Sequence, residues 1–208
     1  MRIAILSDIH SNLEALNAVL EYINDKNIEK IICLGDIVGY GASPNECIEV
    51  LLKLSPIFTV AGNHDFGVLG KTDIIYFNEI AQIAIKWTKK QLDCRSIDYL
   101  NSLPLTSVVD EAFIVHASPG SPDAWNYIFD IYDAKDQFQY FDDKICFVGH
   151  SHVPRAFVFR KKSSSVEIIN EKKFSVSDAD CRYLINVGSV GQPRDGDPRA
   201  SFVIWDTD

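Results

Sequence analysis

Five short runs of this chain, Arg2–Leu6, Lys30–Leu34, Ile57–Ala61, Ala112–Val115 and Ile145–Val148, are rich in β-branched or aromatic residues and lack polar alternation. That pattern predicts strands buried on both faces. After the first run the period changes. Leu13, Leu16, Leu20 and Ile23 recur at helical spacing, and Ser11-Asn12-Leu13-Glu14 has the spacing of a capping box. Pro44-Asn45-Glu46-Cys47 opens a second helix carrying Ile48, Leu51 and Leu52, and a third is predicted from about Phe77 to Leu92. Alternating strands and helices imply right-handed parallel crossovers.

From Arg155 onward the pattern is shorter. The segments Ala156–Phe159, Val166–Ile169, Tyr183–Asn186 and Ala200–Trp205 read as strands separated by Lys/Ser-rich or Gly/Pro/Asp-rich turns, as in hairpins. The simplest layered arrangement is a second sheet packed on the first. The predicted fold is therefore α/β, a four-layer α-β-β-α sandwich of two mixed sheets flanked by helices, with residues 1–208 forming one domain.

Polar chemistry is concentrated where the buried strands end. All five histidines lie in short clusters at those points: Asp8-Ile9-His10, Gly62-Asn63-His64-Asp65, His116, and Gly149-His150-Ser151-His152, joined by Gly35-Asp36. Ligands of open α/β sheets bind beyond the carboxyl ends of the strands, so clusters far apart in sequence can share one crevice. A lone strand-end histidine, or Asn63 in a turn, has an ordinary structural reading. The whole set requires several independent coincidences on that reading, and a metal site on the other.

On an extended segment residues i and i+2 share a face, which would bring together Asp8 with His10 and His150 with His152. With Asp36, Asn63 and His116 these make seven candidate ligands, too many for one tetrahedral ion and suited to two ions sharing the Asp36 carboxylate. The mixed N/O donor set without thiolate suits manganese, iron, cobalt, zinc or nickel and does not choose among them; manganese is the first expectation. Two such ions would lower the pKa of a bridging water and clamp a phosphoryl group for in-line attack. His64, beside a ligand position, is free to act as general acid or to stabilise transition-state charge, with Asp65 a candidate to orient its ring.

The net charge of −9 and pI near 5.0 argue against a partner such as long nucleic acid, while leaving room for a small phosphorylated substrate, a nucleotide among them. Cys33, Cys47, Cys94, Cys146 and Cys181 are odd in number and contain no C-x-x-C pair, as expected of reduced packing residues. With no signal-peptide layout and no membrane-length apolar run, the expected location is the cytoplasm.

The ordered series Asp-x-His, Gly-Asp, Gly-Asn-His-Asp, His and Gly-His-x-His resembles the calcineurin-like metallophosphoesterase superfamily, and Asn186–Arg194 extends the likeness to its small prokaryotic phosphodiesterases. The resemblance implies that Asp8, His10, Asp36 and His152 hold one ion, that Asp36, Asn63, His116 and His150 hold the other, and that His64 is the catalytic histidine. It implies a dinuclear phosphoesterase, foremost a phosphodiesterase, with a dinucleoside polyphosphate hydrolase or a phosphomonoesterase as alternatives. Protein phosphatases of the superfamily carry Asp-Arg-Gly after Gly-Asp, whereas this chain has Ile37-Val38-Gly39 after Gly35-Asp36. Ala117 stands where many relatives have glycine, a methyl expected to be tolerated. The alternative of another class is a non-catalytic scaffold, like the retromer subunit of that fold, which lacks the catalytic histidine.

Two further segments have paired readings. Arg194 and Arg199 can meet substrate phosphate, or pair with Asp195 and Asp197 in a surface turn. Trp125 and Tyr127 fit packing in the core or a lid, with stacking on a nucleobase as the alternative.

Overall fold

The computed structural model describes residues 1–207. Strands β1 (Arg2–Leu6), β2 (Lys30–Cys33) and β3 (Ile57–Thr59) pair in parallel, with helices α1 (Leu13–Ile23) and α2 (Pro44–Lys53) in the crossovers. The second sheet has the order β4-β5-β6-β9-β7-β8, from β4 (Thr106–Val109), β5 (Ala112–Val115), β6 (Ile145–Val148), β7 (Arg155–Arg160), β8 (Ser165–Ile169) and β9 (Cys181–Asn186). Both sheets are mixed, and helices flank them, as the apolar pattern predicts.

Side-chain alternation explains why β1 and β6 carry apolar residues at successive positions. Ile3 and Ile5 of β1, with Ile32 and Leu34, meet Ile114, Ile145, Phe147 and Ile185 in the core between the sheets. Ala4 and Leu6 face the other way, onto Leu16 and Val19 of α1 and Ile48 and Leu51 of α2. In β6, Cys146 and Val148 pack outward against Phe138 and Phe141, near helix α6 (Ile131–Gln137). Each fully buried Ile, Leu or Phe contributes about 1.5–3 kcal/mol, so two-sided burial drives the layering.

Several expectations change. The last strand, β10 (Val203–Asp206), joins the first sheet antiparallel to β1, rather than the second sheet with its sequence neighbours. The second sheet starts well before Arg155, because β5 and β6 belong to it. Asn12, not Ser11, caps α1: its side chain accepts from the Ala15 N–H at 3.1 Å, and Ser11 is one residue too early. The predicted third helix is α4 (Glu79–Gln91), preceded by a short 3-10 turn at Ile74–Tyr76. Helix α3 (Asn63–Leu69), helix α5 (Cys94–Ser102), α6 and the edge strand β4 carry weaker local patterns. Among the described residues no helix is long and apolar enough to cross a membrane.

Candidate metal centre and cleft

Loops leaving β1, β2, β3, β5 and β6 bring Asp8, His10, Asp36, Asn63, His64, His116, His150 and His152 into one buried cluster. Extended i, i+2 segments are not what brings them together. Asp8, His10, Asp36, His150 and His152 all have φ between 50° and 66°, the left-handed region, so these segments are tight turns and not extended chain. Left-handed non-glycine residues are costly and persist where surrounding bonds fix them. Here those bonds run between loops: Asp8 N–H to Gly35 O (3.1 Å), His10 N–H to Asp36 O (2.9 Å) and Gly191 N–H to Asp8 O (2.9 Å). Carboxylates add more, with Asp36 Oδ1 accepting from the His64 N–H at 2.8 Å and Asp8 Oδ2 from the His150 N–H at 3.0 Å. Gly62 and Gly149 allow this closeness. A Cβ on Gly62 would overlap Asp36, and one on Gly149 would overlap Ser7 and Asp8.

The chain fits a bound cation. His10, His116 and His152 each direct Nδ1 at a backbone carbonyl, of Val38 (3.1 Å), Leu34 (2.8 Å) and Gln192 (2.5 Å) respectively. In a neutral ring that contact places the proton on Nδ1 and leaves the Nε2 lone pair facing inward, the usual outer support of a metal-ligating histidine. Their Nε2 atoms face Asp8, Asp36 and Asn63, with His116 Nε2 at 3.4 Å from Asp36 Oδ2 and 3.2 Å from Asn63 Oδ1. Asp8 Oδ1 and His150 Nε2 are buried with no hydrogen-bond partner. His152 Nε2 lies 3.2 Å from Asp8 Oδ1, but that contact lacks the alignment of a hydrogen bond. Two groups have donor atoms close enough to hold an ion, Asp8–His10–Asp36–His152 and Asp36–His116–His150, and Asp36 belongs to both.

Charges in the cluster are interdependent. Burial opposes ionisation of Asp36, but His116, His64 and His10 outweigh it and hold the carboxyl well below its usual range. Burial likewise opposes a proton on His116, yet Asp36 and Asp8 lift its pKa to about 9. His150, buried and beside His116, is pushed down to about 3, and burial keeps His64 below its ordinary value. Without a cation, a proton on His116 balances part of the acidic charge.

Asp65 does not orient His64. Its carboxylate accepts from the backbone N–H groups of Ile37 (3.0 Å), Val38 (3.2 Å) and Gly62 (2.9 Å), tying the loops that carry Asp36 and Asn63 together. His64 instead packs between the rings of Tyr40 (4.7 Å), His10 (4.7 Å) and Phe77 (5.2 Å).

The cluster floors a cleft of about 420 Å³. Arg194 lines it and lies 6.0 Å over the Tyr40 ring, with its guanidinium on Gln192 Oε1 at 2.7 Å. Arg199 does not join it and pairs with Asp197 in an exposed turn. Trp125 and Tyr127 also line the cleft, in keeping with a wall or lid role. Sequence reasoning missed Tyr40, Tyr76, Phe77 and Asn78. Of these only Tyr40, between Gly39 and Gly41 just after the Gly-Asp motif, carried a signal.

A two-sheet sandwich with a buried Asp/His/Asn cluster at its strand ends defines a metallophosphoesterase. The profile of the calcineurin-like phosphoesterase superfamily domain matches residues 1–208, and the chain belongs to that superfamily. It is 49% identical over 210 residues to the uncharacterized protein MJ0912 of Methanocaldococcus jannaschii, covering 98% of this chain and 82% of that one. The crystal structure of a metallophosphoesterase from Sphaerobacter thermophilus superposes with a TM-score of 0.82 at 43% identity, covering 99% of this chain and 83% of the other. The hypothetical protein PH1004 of Pyrococcus horikoshii OT3 shares the fold, with a TM-score of 0.71 at 21% identity, over 91% and 77% of the two chains.

Proposed function

We propose that this protein is a phosphodiesterase that uses two divalent transition-metal ions, manganese first, with iron, zinc, cobalt or nickel able to fit the same donors. Asp8, His10, Asp36 and His152 would hold one ion, and Asp36, Asn63, His116 and His150 the other. Such ions, when bound as a pair, polarise a phosphoryl oxygen and make water a nucleophile near neutral pH. The observation that carries this reading is the fixed outward Nδ1 contact of His10, His116 and His152, which turns their Nε2 atoms toward Asp8 and Asp36.

The remaining work falls to the chain itself. Arg194, on the cleft wall, meets a phosphate oxygen and orients the ester above the floor. His64, held neutral by burial, donates an N–H to the oxygen on which charge develops, a role that suits it better than general acid. Tyr40 and Phe77 fix its ring. Arg194 is the one Lys or Arg among the described residues lining the cleft, which favours the single charge of a diester over a monoester dianion. The net charge of −9 favours a small substrate over long nucleic acid, and five unpaired cysteines suit the reducing cytoplasm.

The test is to strip the protein of metal, restore Mn²⁺, and measure hydrolysis of an activated phosphodiester beside the matching monoester. Metal-dependent turnover favouring the diester is expected. Faster monoester turnover would make it a phosphomonoesterase, and no turnover with both ions bound would favour a non-catalytic scaffold.

A further inference from the structure

The outer half of the cleft differs in chemistry from its floor. Its walls are aromatic: Tyr76 and Phe77 on the segment before α4, and Trp125 and Tyr127 in the loop after β5. Tyr127 stacks on His150 with ring centroids 4.1 Å apart and planes at 21°, so the aromatic wall is continuous with the ligand cluster. Tyr76 is 89% exposed and, among the described residues, its side chain has no ring contact or hydrogen bond. Single exposed rings are ordinary on a protein surface, but four aromatic residues lining one cleft above a polar floor fit a ligand-binding surface.

The polar groups on these walls are Thr72, Asp73, Asn78 and Asp123, while Arg194 is the one Lys or Arg among the described residues there. A second or third phosphate placed beyond the floor would face Asp73 and Asp123 with no further cation to meet it. The amino edge of a nucleobase would find acceptors in the same place, and its flat face would find rings.

We infer that the substrate is a nucleoside carrying a single phosphodiester, with the phosphate on the floor beside Arg194 and the base against the aromatic walls, Tyr76 forming the outer platform. The inference rests on the phosphodiesterase reading of the floor. Water adds to phosphorus, the P–O bond to the second alcohol breaks, that alcohol leaves with a proton, and a nucleoside monophosphate remains.

Calorimetric titration of the Mn²⁺-loaded protein with AMP, ribose 5-phosphate and ADP tests the assignment without relying on turnover. AMP is expected to bind about tenfold or more tightly than ribose 5-phosphate, and ADP no more tightly than AMP. Tyr76→Ala should remove about tenfold of the AMP affinity while leaving ribose 5-phosphate affinity and metal content unchanged, and Tyr76→Phe should keep it. Equal binding of AMP and ribose 5-phosphate, or loss of both ligands alike in Tyr76→Ala, would overturn the base seat. Tighter binding of ADP than AMP would overturn the single-phosphate assignment. Hydrolysis of the activated diester, measured separately, keeps the two readings apart: turnover without base preference removes only this inference, and base-dependent binding without turnover removes the phosphodiesterase.

Discussion

His10 and His152 are 142 positions apart in the chain, yet their Nε2 atoms lie 3.1 Å from each other while both Nδ1 atoms are held by backbone carbonyls. With both Nδ1 atoms so held, the two Nε2 atoms face each other beside the Asp8 carboxylate. A cation held at that point in the proposed centre would bind all three groups at once and stabilise the fold.

Metal removal should therefore lower thermal stability. At a free Mn²⁺ concentration about a hundredfold above Kd, binding adds about 2.7 kcal/mol, or roughly 5–10 °C in Tm for a chain of this size. Differential scanning calorimetry of stripped and reloaded protein checks this, and an unchanged Tm would count against a metal centre. His152→Ala should lower the bound metal by about one equivalent in elemental analysis.

His64→Ala should cut kcat by about 10²–10³, the usual cost of removing one oriented donor. Bound metal should not change, because the proposed ligand set does not use this ring. Parallel rate and metal measurements test it. Full activity would remove His64 from the mechanism.

Asp65→Ala leaves three buried backbone N–H groups, of Ile37, Val38 and Gly62, without their acceptor. Each unsatisfied donor costs about 1–3 kcal/mol, so a total loss of about 3–5 kcal/mol is expected after relaxation. Urea denaturation of the metal-free form measures it. A loss under about 1 kcal/mol would show that the two loops hold without this clamp.

Burial pushes the Cys33 and Cys47 thiols up to about 12, whereas an unfolded thiol titrates near 8.5. Between those values the unfolded chain has released protons that the folded chain retains, so stability is full below about pH 8.5 and falls as pH rises above it. A urea midpoint at pH 10 should be lower than at pH 8. At pH 8 the native protein should take up one equivalent of iodoacetamide, at exposed Cys94, with the other four thiols reacting only after denaturation. Rapid native labelling of Cys33 would contradict its burial.

The elements that local pattern predicted best are the unbroken apolar runs of β1 and β6 and the helically spaced apolar residues of α1. Helix α3 escaped because Asn63-His64-Asp65-Phe66-Gly67 is poor in helix formers and depends on the Asp65 clamp and buried Val68. Strand β4 escaped because only Val109 of its four residues is buried. The pairing of β10 with β1 escaped because register across the whole chain leaves no mark in either segment.

The sequence by itself determined the donor types and their position after the buried strands, because apolar runs and short polar clusters are local and each dictates its own neighbourhood. Tertiary structure alone decided how the clusters meet. The left-handed turns at Asp8, His10 and His150, the division of five site strands between two sheets, and the aromatic walls of the cleft all depend on bonds such as His10 N–H to Asp36 O and on packing between distant segments. Those interactions exist only after the sheets have come together, so no stretch of the chain carries them alone.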